Sequence, residues 1–161
     1  MKISILLPYK ENFSSQYAGA VSLFLKDTIS ISKFKKQIKI FGSTNCKKDL
    51  LKQNYINLSI RKLFFESRSN KYLNNFLNHE KEKISDIIEI HNRPRYVNKL
   101  HKYNQNLVLY YHNDPLNLKG SETVIDRLNI IKKTKKIIFI SRWVKKRFLI
   151  GLNQKKITPG Q

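Results

Sequence analysis

Short β-branched or apolar runs alternate with amphipathic stretches from one end of this chain to the other, and that alternation narrows the fold most. Residues 2–7 form an apolar run closed by Pro8, and residues 37–41 alternate and end at Gly42. Residues 55–60, 86–91, 106–112 and 136–141 complete six predicted strands. Between them lie helical patterns. Val21, Phe24, Leu25, Thr28 and Ile29 recur at three-and-four spacing, and residues 69–83 gather Leu73, Phe76 and Leu77 on one face. Shorter helices are predicted at 96–103 and at 122–134, the latter with Ser121 as N-cap and Val124, Ile125, Leu128 and Ile131 facing inward. A last helix, 142–150, is expected to be capped by Ser141 and closed by Gly151. Strands alternating with helices predict an α/β fold, a Rossmann-like doubly wound, mostly parallel sheet of about six strands with helices on both faces. Apolar runs such as Leu107-Val108-Leu109 and Ile137 to Ile140 suit strands covered on both sides.

At 161 residues the chain is long enough for one domain and too short for two ordinary ones. Residues 1–150 are expected to form a single Rossmann-like unit, and 151–161 to be either the start of an interdomain linker or a truncated tail. No segment approaches the ~18 consecutive apolar residues of a membrane span, and the first strand is too short to be a signal peptide. The lone cysteine, Cys46, excludes a disulfide framework and any multi-cysteine zinc site. These features predict a cytoplasmic protein. Lys and Arg number 32 against 11 Asp and Glu, a net charge of +21. The excess is mostly Lys, in a chain also rich in Ile and Asn. These three share adenine- and thymine-rich codons, so genome composition accounts for much of the balance before any nucleic-acid surface is invoked. The charge does favour anionic partners, acidic lipid headgroups and sugar phosphates among them.

In doubly wound sheets ligands bind outside the carboxyl ends of the strands, so chemistry is sought there. Two strands end alike: His91-Asn92-Arg93-Pro94 and His112-Asn113-Asp114-Pro115. If the two strands are neighbours, both imidazoles approach one crevice; read singly, each His, Asn and Pro also suits an ordinary turn. Gly19 precedes the first helix, where a glycine admits close approach and a helix N-terminus attracts phosphate. Gly-x-Gly-x-x-Gly, Walker, His-Glu-x-x-His and Gly-x-Ser-x-Gly motifs are all absent, so no dinucleotide, nucleoside-triphosphatase, metal or serine-nucleophile site is expected. On the last helix, Trp143, Val144 and Phe148 are expected to pack while Lys145, Lys146 and Arg147 reach solvent or an anionic membrane.

The segments DIIEIHNRP (86–94), LVLYYHNDP (107–115) and IIFISRWVKKRF (137–148), together with the first strand and the Ala18-Gly19-Ala20 loop, resemble the N-terminal domain of GT-B glycosyltransferases. The likeness is nearest to glycosyltransferase family 4, whose bacterial members build lipopolysaccharide, capsule and other surface glycans. The resemblance implies a retaining, metal-independent sugar transfer from a nucleotide-sugar, with this chain as the acceptor-binding half and no cofactor beyond the donor. His112 matches the family position near the donor sugar, and is the implied catalytic residue. Gly19 and Ala20 match the loop that approaches the diphosphate. His91, Asn92 and Arg93, with Asn113 and Asp114, match the strand ends that shape the cleft, and Ser141 and Arg142 match the turn after the sixth strand. Implied partners are the nucleotide-sugar, a glycan or lipid-linked acceptor, a C-terminal donor domain and the inner face of the cytoplasmic membrane.

Two departures from the family pattern stand out. The donor domain, with its Glu, seven residues, Glu segment, is not in these 161 residues, and the first loop has one glycine rather than a pair. The 161 residues alone are therefore expected to be inactive as a transferase. Two other readings stay open: a basic nucleic-acid-binding α/β module, though no RNA-recognition, KH or helix-turn-helix signature is present, and a non-catalytic interaction domain of the same fold.

Overall fold

The computed structural model describes residues 1–44, 50–51, 53–58, 60 and 67–152; Cys46, Ser59 and the tail from residue 153 lie outside them. Six strands, β1 (Ile3–Leu6), β2 (Ile38–Gly42), β3 (Tyr55–Asn57), β4 (Ile87–His91), β5 (Leu107–Tyr111) and β6 (Lys136–Phe139), form one sheet in the order β3-β2-β1-β4-β5-β6. Every neighbouring pair is parallel. The chain runs outward from β1 through β2 to β3, then returns to β4 on the other side of β1. That reversal is the switch point beside which such sheets bind ligands. The expected Rossmann-like fold is present.

The helices are α1 (Ala20–Ser30), α2 (Arg68–Glu82), α3 (Val97–Leu100), α4 (Val124–Lys133) and α5 (Arg142–Leu149). They divide unevenly over the sheet. Val21, Leu25 and Ile29 of α1 pack on Ile3, Ile5, Ile38 and Ile40, while α2 through α5 all contribute to the opposite core, around Phe41, Ile88, Ile90, Leu107 and Leu109. Successive strand residues point to opposite faces, so these two sets alternate along β1 and β2. Both faces carry helices, as the alternation predicts, but among the described residues one face has a single helix. In consequence β5 alternates between buried and half-buried residues and β6 has no buried residue at all. The expectation that both strands are covered on each side fails there. Apolar content alone does not say that a strand is covered on both faces, and here β6 is an outer strand and Val108 and Ile138 are only half-buried.

Local chemistry explains most boundaries. Ser67 caps α2 by accepting from the Asn70 N–H, and Ser141 caps α5 by accepting from the Val144 N–H. Gly151 follows α5 with φ +77°, the left-handed geometry that favours glycine. Tyr72 of α2 is fully buried, with its hydroxyl 3.0 Å from the Leu7 carbonyl and 2.9 Å from that of Phe41. It thereby ties the carboxyl ends of β1 and β2 together.

Two helical faces differ from expectation. Thr123, not Ser121, caps α4, in a reciprocal box with Asp126. Ser121 is instead buried, its hydroxyl turned to the Pro115 carbonyl. The buried residues of α4 are Arg127 and Ile130, whereas Ile125 and Ile131 are exposed. A hydrophobicity pattern cannot credit a buried arginine, so it rotates the face. On α5, Val144 and Phe148 are buried as expected, but Trp143 is exposed and Arg147 is held by Asp114. Trp143 lies one turn before Arg147, whose guanidinium sits 5.8 Å from the ring centroid.

Candidate functional site

The carboxyl ends of β4 and β5 are adjacent because β4 pairs with β5, with His91 opposite Tyr110. His91 is the last residue of β4 and is fully buried. The next residue, Asn92, has φ +50°, a conformation that Asn tolerates better than most side chains. Its backbone N–H donates to the Tyr110 carbonyl at 2.9 Å. Its side-chain oxygen accepts from the backbone N–H of His112 at 2.8 Å and of Asn113 at 3.3 Å. Asn92 is thus a clamp that sets where the segment after β5 begins.

With that clamp in place the two imidazoles meet. Nδ1 of His91 lies 2.9 Å from Nε2 of His112, and the rings are inclined at 27° with centroids 5.2 Å apart. Tyr110 stacks on His91 at 4.6 Å, and Phe24 of α1 sets its edge toward His112 at 5.1 Å. Phe24 is about one and a half helical turns from Gly19, so α1 connects the first loop to the pair. Behind them a cleft of about 180 Å³ runs between α1 and the sheet, lined among others by Phe24, Thr28, Glu89 and Tyr110.

The first loop is arranged differently from a vacant phosphate cradle. Gly19 is the N-cap of α1, in extended conformation and with no side-chain cap. The Glu11 carboxylate fills this position: its Oε1 accepts from the Ser22 N–H at 3.2 Å and the Ser22 hydroxyl at 3.1 Å. A Cβ on Gly19 would collide with that carboxylate. The acidic group thus takes one of the free N–H groups at this helix start, a place that otherwise favours an anion. Ala20 is exposed at the same helix start.

The remaining predicted site residues have local partners. Arg93 donates to the Asn92 carbonyl at 2.8 Å. Asp114 accepts from the Leu116 N–H at 3.1 Å, capping the short 3-10 turn Pro115–Asn117, and takes a two-pronged contact from Arg147, at 3.0 Å from Nε and 2.8 Å from the terminal nitrogen. Asn113 is exposed. Ser141 and Arg142 are exposed at the end of β6, next to β5, where Ser141 serves as the α5 cap. The geometry therefore joins His91, Asn92 and His112 directly, reaches Gly19 through α1, and gives Asp114 and Ser141 clear structural tasks.

Sequence reasoning did not single out Glu11, Phe24 as a site residue, or Glu89. Glu89 was accessible to it, since residues two apart on a strand share a face and Glu89 precedes His91 by two. No comparable signal marks Glu11. Among the described residues no group of three or more His, Cys, Asp or Glu side chains converges on a common point.

Burial, and then the nearby His91, push the His112 imidazole down to about 4. The ring is consequently neutral at pH 7. Because the unfolded chain takes up a proton near pH 6.5 and the folded one resists it, this group's contribution is complete above about 6.5. It is lost as pH falls from there to about 4, and then levels off. The full difference would be about 3 kcal/mol, and screening at a partly exposed ring lowers it to about 1–2 kcal/mol. Urea midpoints are therefore expected to drop between pH 7 and 4.5, with the drop reduced in His112→Gln; an undiminished drop in the variant would refute the assignment. The Asp114 carboxyl, held below its usual value by Arg147, loses its contribution only at lower pH.

No protein family, curated protein or solved structure matches the chain.

Proposed function

We propose that this chain is the acceptor-side half of a retaining GT-B glycosyltransferase of the family 4 type, acting in bacterial surface-glycan or lipopolysaccharide synthesis. The observation that carries the reading is the pair of hydrogen-bonded imidazoles at the carboxyl rim of a parallel sheet, next to its switch point. Glycosyl transfer builds positive charge on the sugar ring and negative charge on the departing diphosphate. A neutral imidazole orients sugar hydroxyls without adding charge beside the developing cation. The diphosphate is the task of α1's N-terminus, once Glu11 has moved aside, and of a C-terminal donor domain. No metal or cofactor enters this scheme.

The surface supports a membrane-proximal acceptor. Trp143 is exposed beside exposed Arg142, Lys145 and Lys146, a combination suited to anionic headgroups at the inner face of the cytoplasmic membrane. Among the described residues no helix is long and apolar enough to cross a membrane, so this contact would be peripheral.

The test is a transfer assay on the whole polypeptide that carries this chain, with a panel of nucleotide-sugars and lipid-linked acceptors. Release of nucleoside diphosphate with retained anomeric configuration is expected. No release from any donor, combined with steeply salt-dependent binding of oligonucleotides, would replace this reading by that of a nucleic-acid-binding module.

A further inference from the structure

We propose that Glu89 fixes where the protons of the His91–His112 pair reside, so that His112 presents a bare Nδ1 as hydrogen-bond acceptor for a hydroxyl group of a bound ligand. Glu89 is here a positioning residue, acting through His91.

The argument starts from the fully buried ring. Nδ1 of His91 is spoken for by His112, at 2.9 Å. Its Nε2 is buried without a hydrogen-bond partner, and the Glu89 carboxylate lies near it, with Oε2 at 3.8 Å. A neutral imidazole carries one proton, so only two arrangements of the pair satisfy the short contact. In the first, His91 donates from Nδ1 to His112; its Nε2 lone pair then faces the carboxylate, desolvated and repelled. In the second, His91 keeps its proton on Nε2, toward the carboxylate, and its Nδ1 accepts from Nε2–H of His112. The second replaces a repulsion with an attraction in a poorly solvated place.

The consequence passes along the pair. With its proton on Nε2, His112 has a lone pair on Nδ1, and no described residue is paired with that atom. The neutral state of His112 keeps the lone pair available at pH 7. Two features hold the geometry while the protons are set. Asn92 accepts from the His112 backbone N–H, and Tyr110 stacks on His91. Tyr110, its phenol pushed up to about 12 by burial and then by Glu89, stays uncharged beside the pair. A carboxylate, two imidazoles and an open nitrogen thus form a directional relay suited to polyhydroxylated ligands. Use of this acceptor in sugar transfer rests on the glycosyltransferase reading; the proton positions themselves do not.

The experiment is nitrogen-15 NMR of the histidine-labelled full chain, ligand-free at pH 7.5, with resonances assigned by His91→Gln and His112→Gln. In the wild type, Nδ1 of both rings is expected at the unprotonated position and Nε2 of both at the protonated one. In Glu89→Leu the carboxylate bias is gone, and the Nδ1 resonances of both rings are expected to move toward the protonated position as the two arrangements mix. A wild-type spectrum with protonated Nδ1 on His91 overturns the proposal, as does a folded Glu89→Leu variant with unchanged shifts. The wild-type spectrum decides even if that variant does not fold. Finding the expected proton positions in a protein that transfers no sugar would leave the relay standing and remove the transferase reading alone.

Discussion

Under the proposed glycosyltransferase function, replacing His112 with alanine is expected to lower kcat by about 100-fold or more, with a smaller change in KM. In that proposal the ring orients the reacting sugar and supplies little bulk binding energy, so its loss weighs on the transition state more than on the Michaelis complex. The substitution also has a structural cost, because Nδ1 of buried His91 loses its 2.9 Å partner. That cost is about 1–3 kcal/mol, enough to move a denaturation midpoint but not to unfold the domain. Far-UV circular dichroism separates the two effects. His112→Gln provides the sharper comparison, since an amide can still meet His91 while it lacks the imidazole's geometry toward substrate. A folded His112→Ala enzyme with near-normal turnover would rule out His112 as the group next to the donor sugar.

That both histidines fall at strand ends was legible in the sequence, and the reason is physical. An apolar run that ends in His-Asn and a charged residue before proline has only one place to stop, and parallel strands stop on the same edge. Sequence alone could not say that β4 and β5 are neighbours; the strand order supplies that. Nor could it show that the two matching endings diverge in function. Asn92 clamps the next strand end, whereas Asp114, at a later position in the second ending, caps a turn and holds Arg147. Gly19 illustrates the opposite failure. A glycine before a helix reads as a phosphate cradle, but the group that occupies the cradle, Glu11, comes from eight positions earlier through a loop that no periodicity describes. Buried polar side chains were the general blind spot, and α4 shows its largest effect.

Arg127→Ala is expected to destabilise the domain by about 3–4 kcal/mol, a large loss for a polar side chain distant from the histidines. Arg127 is almost fully buried, and its guanidinium donates to three carbonyls: Ser121 at 3.0 Å, Glu122 at 2.9 Å and Ile150 at 2.6 Å. Burial lowers its proton affinity from the usual value, yet arginine stays charged in proteins, so these are charge-assisted bonds. The alanine variant leaves the buried Ser121 carbonyl unpaired and opens a cavity beneath α4. Arg127→Lys keeps the charge, but a single ammonium cannot span carbonyls contributed by two segments, and an intermediate loss of about 1–2 kcal/mol is expected. Arg127→Met fills most of the volume with no donor, and should fall near alanine if the bonds dominate or near wild type if packing does. The bonds also couple distant parts of the rim. They join the segment after β5 to the end of α5, and α5 carries Arg147, which grips Asp114 two residues beyond His112. Urea denaturation of the three variants measures the series, and a methionine variant within about 0.5 kcal/mol of wild type would show that the bracket contributes little beyond its bulk.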